Sequence, residues 1–75
     1  MEKLLEILNE VNPDVNFAEE TGLIDDGLLT SLDLVTIIAE LSDAYDIRIP
    51  ARYISADNFN SAAAMLKLIH QLLDD

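Results

Sequence analysis

The chain has 75 residues, enough for one small domain with a modest core, and no cysteine, which excludes a disulfide framework and any thiolate site of its own. Acidic residues number 15 against 4 basic ones, a net charge of −11, which argues against nucleic acid and anionic membrane as ligands because a polyanion gains nothing by displacing phosphate counterions. The same charge suits partners with basic patches or plain solubility, while 51% apolar residues argue against a disordered chain.

From Glu2 to Val11, the spacing of Leu4, Leu8 and Val11 predicts a short amphipathic helix, with Leu5 and Ile7 alongside. Asn12-Pro13 ends it, because the residue before a proline is pushed out of helical geometry. The start, Met1-Glu2-Lys3-Leu4, lacks the basic-then-apolar layout of a signal peptide, and no apolar run is long enough to cross a bilayer. A cytoplasmic location is therefore expected.

A long connection runs from Pro13 to about Leu29. Phe17, Leu23, Ile24, Leu28 and Leu29 are scattered through it without a period and are expected to anchor it to the bundle. Asp25-Asp26-Gly27 lacks the alternating oxygens and the late Glu of a calcium loop and reads as solvated charge.

Thr30-Ser31-Leu32-Asp33 then carries the Ser/Thr-x-x-acid pattern of a capping box. With Thr30 as N-cap, Ser31 is the first helical residue, and its hydroxyl stands free at the positive end of the helix dipole, where backbone amides favour a phosphate. Such a start also occurs as capping and nothing more. The helix is expected from Ser31 to Tyr45, with Leu34, Ile37, Ile38, Leu41 and Tyr45 as the core face. Leu32, Val35 and Ala39 form a second apolar line, flanked by Glu40 and Asp43, which is either extra core or a face for a partner. Asp46-Ile47-Arg48-Ile49-Pro50 breaks the helix, and with no second strand to pair it is expected as an extended turn with Ile47 and Ile49 inward.

Ser55-Ala56-Asp57-Asn58-Phe59 reads as one helical turn with Ser55 as cap, and Asn60-Ser61 as the caps of a last helix over about Ala62–Leu72. Its inward line is expected to be Ala63, Leu66, Ile69 and Leu73, with Met65, Leu68 and Leu72 beside it. The lone histidine, His70, has no metal-ligating or catalytic company and reads as a surface residue. Ser31 has no His–Asp support for hydrolysis, and two glycines in the whole chain leave no glycine-rich phosphate loop. No repeat or linker divides the chain. The fold class is all-α: a small antiparallel bundle of three main helices plus one short helix, in a single domain over residues 1–75.

Leu28-Leu29-Thr30-Ser31-Leu32-Asp33-Leu34-Val35 resembles the attachment segment of acyl and peptidyl carrier proteins, usually written Asp-Ser-Leu, with Thr30 in place of the usual Asp. Tyr45-Asp46-Ile47-Arg48-Ile49-Pro50 is similar to a stretch found in the same family, and the order of parts matches over nearly the whole chain. The resemblance implies an acyl-carrier-protein-like fold and 4'-phosphopantetheine, taken from coenzyme A by a phosphopantetheinyl transferase and esterified to Ser31. It implies a monomeric carrier, not an enzyme, that holds an acyl or aminoacyl thioester and docks through Leu32, Val35, Ala39, Glu40 and Asp43. The implied partners are a loading ligase and downstream transferases or synthases with basic surfaces. Asp25-Asp26-Gly27-Leu28-Leu29 before the serine looks more like stand-alone peptidyl or D-alanyl carriers than like fatty-acid carriers. The alternative is a helical interaction module of the same shape that never carries the arm.

Overall fold

The computed structural model describes residues 1–74. Helix α1, Glu2–Val11, buries Leu4 and Leu8, one turn apart on a single face, and ends at Asn12, whose extended backbone (φ −148°, ψ 95°) is what the following Pro13 demands. Helix α2, Ser31–Tyr45, buries Ile37 and Leu41 completely, with Leu34, Ile38 and Tyr45 packed at the edge of the core. It closes on Asp46 in the left-handed region (φ 51°, ψ 51°), and the Asp46 and Ile47 amides both donate to the Ser42 carbonyl.

Ile49 is buried and Ile47 half-buried, as expected for the turn before Pro50. After the proline comes a 3-10 turn, Ala51–Tyr53, that no local pattern announced. Helix α3, Ala56–Phe59, serves to sink Phe59 into the core; Ser55 stands at its N-cap but makes no side-chain capping bond, against expectation. Helix α4, Ala62–Asp74, starts from Ser61, whose Oγ accepts from the Ala64 amide at 3.1 Å.

The inward line of α4 differs from the sequence expectation. Ala62, Met65, Leu68 and Ile69 are buried, whereas Ala63 is exposed and Leu73 is 52% exposed. The helix is rotated by about one position from the phase read off its apolar residues. Lys67, His70, Gln71 and Asp74 form one exposed polar stripe along α4, and Ala63 lies one turn before Lys67 on that stripe, so packing against α1 and α3 buries the opposite side.

Helix α1 packs on α2 and α4, and α3 on α4, around one apolar core that Phe17, Leu23 and Leu29 enter from the long connection. Among the described residues no strand is present, and no polar side chain is buried. Each fully buried Leu, Ile, Phe or Met contributes roughly 1.5–3 kcal/mol by leaving water. Lys3 adds a surface tie: its Nζ donates to the Ala44 carbonyl at 3.0 Å and stands 4.6 Å from the centre of the Tyr45 ring. This places a cation at the negative end of α2 and couples it to α1.

Candidate attachment site and partner face

The site begins in the connection. Leu23, fully buried, offers its carbonyl to the amides of both Leu28 (3.0 Å) and Leu29 (3.1 Å). The turn between them passes through Gly27 at φ 70°, where an added Cβ would meet nothing within 4 Å, so backbone conformation rather than space selects glycine there. Leu29 returns to the core, while Leu28 stays 37% exposed; of the expected anchors, it is the one the core does not take in.

With Leu29 fixed, Thr30 is delivered in extended geometry (φ −82°, ψ 168°) as the N-cap of α2. Its Oγ1 accepts from the Asp33 amide at 3.1 Å, and the Asp33 carboxylate accepts from the Thr30 amide at 3.2 Å. This is the reciprocal capping box expected from the sequence. The first intrahelical bond runs from Leu34 to the Thr30 carbonyl. Ser31 is thus the first residue of α2, exposed, and its hydroxyl has no hydrogen-bond partner among the described residues. The amides of Ser31 and Leu32 are likewise unclaimed there, and they lie at the positive end of a 15-residue helix.

This arrangement fits a phosphodiester-linked group. The acceptor oxygen is free, two amides remain to face a phosphate, and the nearest acidic side chain on the helix, Asp33, is held back by its bond to the Thr30 amide.

Ser31, Val35, Ala39 and Asp43 follow one another at four-residue steps and so form one row along α2. All four are exposed, as are Leu32 and Glu40. Leu32 is 75% and Val35 63% exposed, which rules out extra core for this line. A bundle leaving two large aliphatic side chains so far in water beside a free serine presents an apolar strip edged with carboxylates.

One residue that holds the connection before Ser31 escaped the sequence reading. Asn60, expected as a helix cap, instead holds the connection. Its Oδ1 accepts from the amides of Ile24 (3.0 Å) and Asp25 (3.1 Å), and its Nδ2 donates to Asp25 Oδ2 at 3.0 Å. Its carbonyl accepts from the Leu23 amide at 2.9 Å. Such bonds, spanning 35 residues, leave no trace in local spacing. His70 is exposed, and the described residues include no group of side chains suited to a metal. Among the described residues, no helix is long and apolar enough to cross a membrane.

Comparison with known proteins agrees with this geometry. The family model described as a phosphopantetheine attachment site matches residues 1–69. Among curated proteins, the D-alanyl carrier protein of Streptococcus gordonii is 31% identical over 71 residues, covering 93% of this chain and 90% of that protein. The D-alanyl carrier proteins of Streptococcus sanguinis and Streptococcus thermophilus show the same identity and coverage. No solved structure gives a significant match. With a family match across nearly its whole length and relatives aligned almost end to end, the chain belongs to the phosphopantetheine-bearing carrier proteins, whose members hold their cargo on a covalently attached 4'-phosphopantetheine.

Proposed function

We propose that Ser31 is the residue that takes the arm and that the chain, as a single monomeric carrier domain, shuttles an aminoacyl group between enzymes. The observation that carries this reading is the division of labour at the start of α2: Thr30 does the capping, leaving the adjacent Ser31 hydroxyl exposed and unbonded. Ser31 Oγ attacks the coenzyme A phosphorus next to the pantetheine, the pyrophosphate P–O bond breaks, and adenosine 3',5'-bisphosphate leaves. The hydroxyl proton passes to a base of the transferase, since the described residues place no His–Asp pair at Ser31. The unclaimed Ser31 and Leu32 amides would hold the phosphodiester at the positive end of α2. When bound, the arm supplies the thiol that this cysteine-free chain lacks, and with it the capacity to hold a thioester.

The chain catalyses nothing itself on this reading. A transferase and a loading ligase dock on Leu32, Val35 and Ala39, while Glu40, Asp43 and the net charge of −11 steer basic surfaces toward the strip. D-Alanine is the first cargo to try, given that three relatives bear the name D-alanyl carrier protein. Coenzyme A as the source of the arm supports modification in the cytoplasm.

The test is incubation of the purified protein with coenzyme A and a broad-specificity transferase. The expected result is a mass gain of one phosphopantetheine that maps to the peptide containing Ser31. A protein that stays unmodified, or is modified elsewhere, would overturn the assignment.

A further inference from the structure

The connection before the site has no regular backbone pairing to hold it. Its fixed points are buried Phe17, Leu23 and Leu29, the turns in which the Asp26 and Gly27 amides donate to the Gly22 and Ile24 carbonyls, and the bonds from Asn60. Asn60 uses its carbonyl, its side-chain oxygen and its side-chain amide on Leu23, Ile24 and Asp25. Leu23 in turn holds Leu28 and Leu29 through its own carbonyl, and the next residue is the Thr30 cap. An unbroken series of hydrogen bonds therefore runs from the α3–α4 junction to Leu29, two residues before Ser31.

We infer that Asn60 is a positioning residue for arm attachment: by gripping Ile24 and Asp25 it sets the register of the connection, and so the presentation of Thr30 and Ser31 to the transferase. The inference rests on the assignment of Ser31 above. Asn60 touches no reacting atom. Its side chain suits the task because it offers an acceptor to two amides and a donor to a carboxylate at the same time. An aspartate there keeps the acceptor but loses the donor, and it turns a carboxylate toward that of Asp25, which in the unaltered protein lies 3.0 Å from the Asn60 amide nitrogen. The connection then spends part of its time out of register. A substrate competent for only a fraction of the time shows a raised KM with an unchanged kcat.

The test compares initial rates of arm transfer for the unaltered protein, Asn60→Asp, the exchange Asn60→Asp with Asp25→Asn, and the core variant Ile69→Val. Each protein is first shown by circular dichroism to be folded at the assay temperature. Asn60→Asp is expected to raise the KM for the carrier about tenfold, the inverse of a competent fraction near one tenth, with kcat within about twofold. The exchange rebuilds the clasp, since the side-chain amide introduced at position 25 can donate to the carboxylate introduced at position 60, and it restores the net charge; KM should return to near the unaltered value. Ile69→Val, which removes one methyl from the core and leaves the Asn60–Asp25 bonds intact, should leave KM alone. An unchanged KM in Asn60→Asp overturns the inference, as does an exchange variant that stays slow or unfolded. If Asn60→Asp does not fold, the exchange variant decides alone: folded and loaded normally supports the clasp, and any other result refutes it. Failure of the unaltered protein to load would instead count against Ser31 as the acceptor, so the two ideas fail separately.

Discussion

Asn60 and Asp25 hold each other twice: the Asn60 side-chain amide donates to the Asp25 carboxylate at 3.0 Å, and the Asp25 backbone amide donates back to the Asn60 side-chain oxygen at 3.1 Å. The pair joins the middle of the long connection to the junction between the last two helices. It lies at the exposed surface, yet it satisfies backbone amides that no secondary structure claims. Order in this connection is therefore assembled from backbone turns and side-chain bonds together, and it is through the connection that Ser31 is placed.

Ser31→Ala is expected to abolish arm attachment and to leave stability within about 0.5 kcal/mol, as for other surface substitutions away from caps. Intact-protein mass and urea unfolding measure the two effects on the same sample. A loss approaching about 2 kcal/mol, the upper end for a missing cap, would mean that Ser31 rather than Thr30 secures the helix start.

Thr30 separates capping from recognition. Thr30→Ala removes the acceptor for the Asp33 amide and should cost about 1 kcal/mol in thermal or chemical unfolding. Thr30→Asp keeps an acceptor and places a negative charge at the positive helix end, a favourable term of roughly 0.3–1 kcal/mol, partly offset by Asp33 nearby. Because Asp is the residue usual before the serine in this family, Thr30→Asp should be modified faster by a general transferase. A slower Asp variant would show a transferase matched to threonine.

Leu68 and Leu73 test the phase of α4. Leu68→Ala empties a buried site and should cost about 2–5 kcal/mol, while Leu73→Ala, at a position 52% exposed, should cost under about 0.5 kcal/mol. Similar losses at the two positions would contradict the rotation of the helix described above.

Val35→Glu should leave the bundle intact, because the side chain is already 63% in water. If the strip on α2 is where a loading ligase docks, the KM of the ligase for the arm-bearing protein should rise roughly tenfold, equivalent to losing about 1.4 kcal/mol of contact. An unchanged KM would place docking elsewhere.

What the sequence made legible divides along physical lines. The bounds of α1 and α2, the Thr30–Asp33 box and the apolar line through Leu32 and Val35 depend on near neighbours, and local spacing carries such information. The phase of α4 did not follow from its apolar residues alone; the polar stripe of Lys67, His70, Gln71 and Asp74 marks its outward side, and Ala63 lies on that stripe. Leu28 and the 3-10 turn Ala51–Tyr53 lie where no period exists to read. Asn60 was missed for another reason: Asn before Ser and a helix is a common cap signal, and its actual partners lie 35 and 36 positions earlier. The free hydroxyl of Ser31 was legible in the local pattern, whereas the Asn60 bonds that hold the connection before it depend on tertiary contact.

The described interior contains no polar side chain, so only shape and volume, and no buried hydrogen bond between side chains, select which apolar residue meets which. Volume and patterning suffice to fill such a centre, and a lost methyl group on one helix can be made good by a larger neighbour on another. The constraint on substitution is therefore inverted from the usual expectation of an immutable centre beneath a changeable skin. Here the hidden residues can trade identities as long as their volumes are kept, while exposed Ser31, Leu32 and Val35, on the function proposed above, answer to the chemistry of partner molecules.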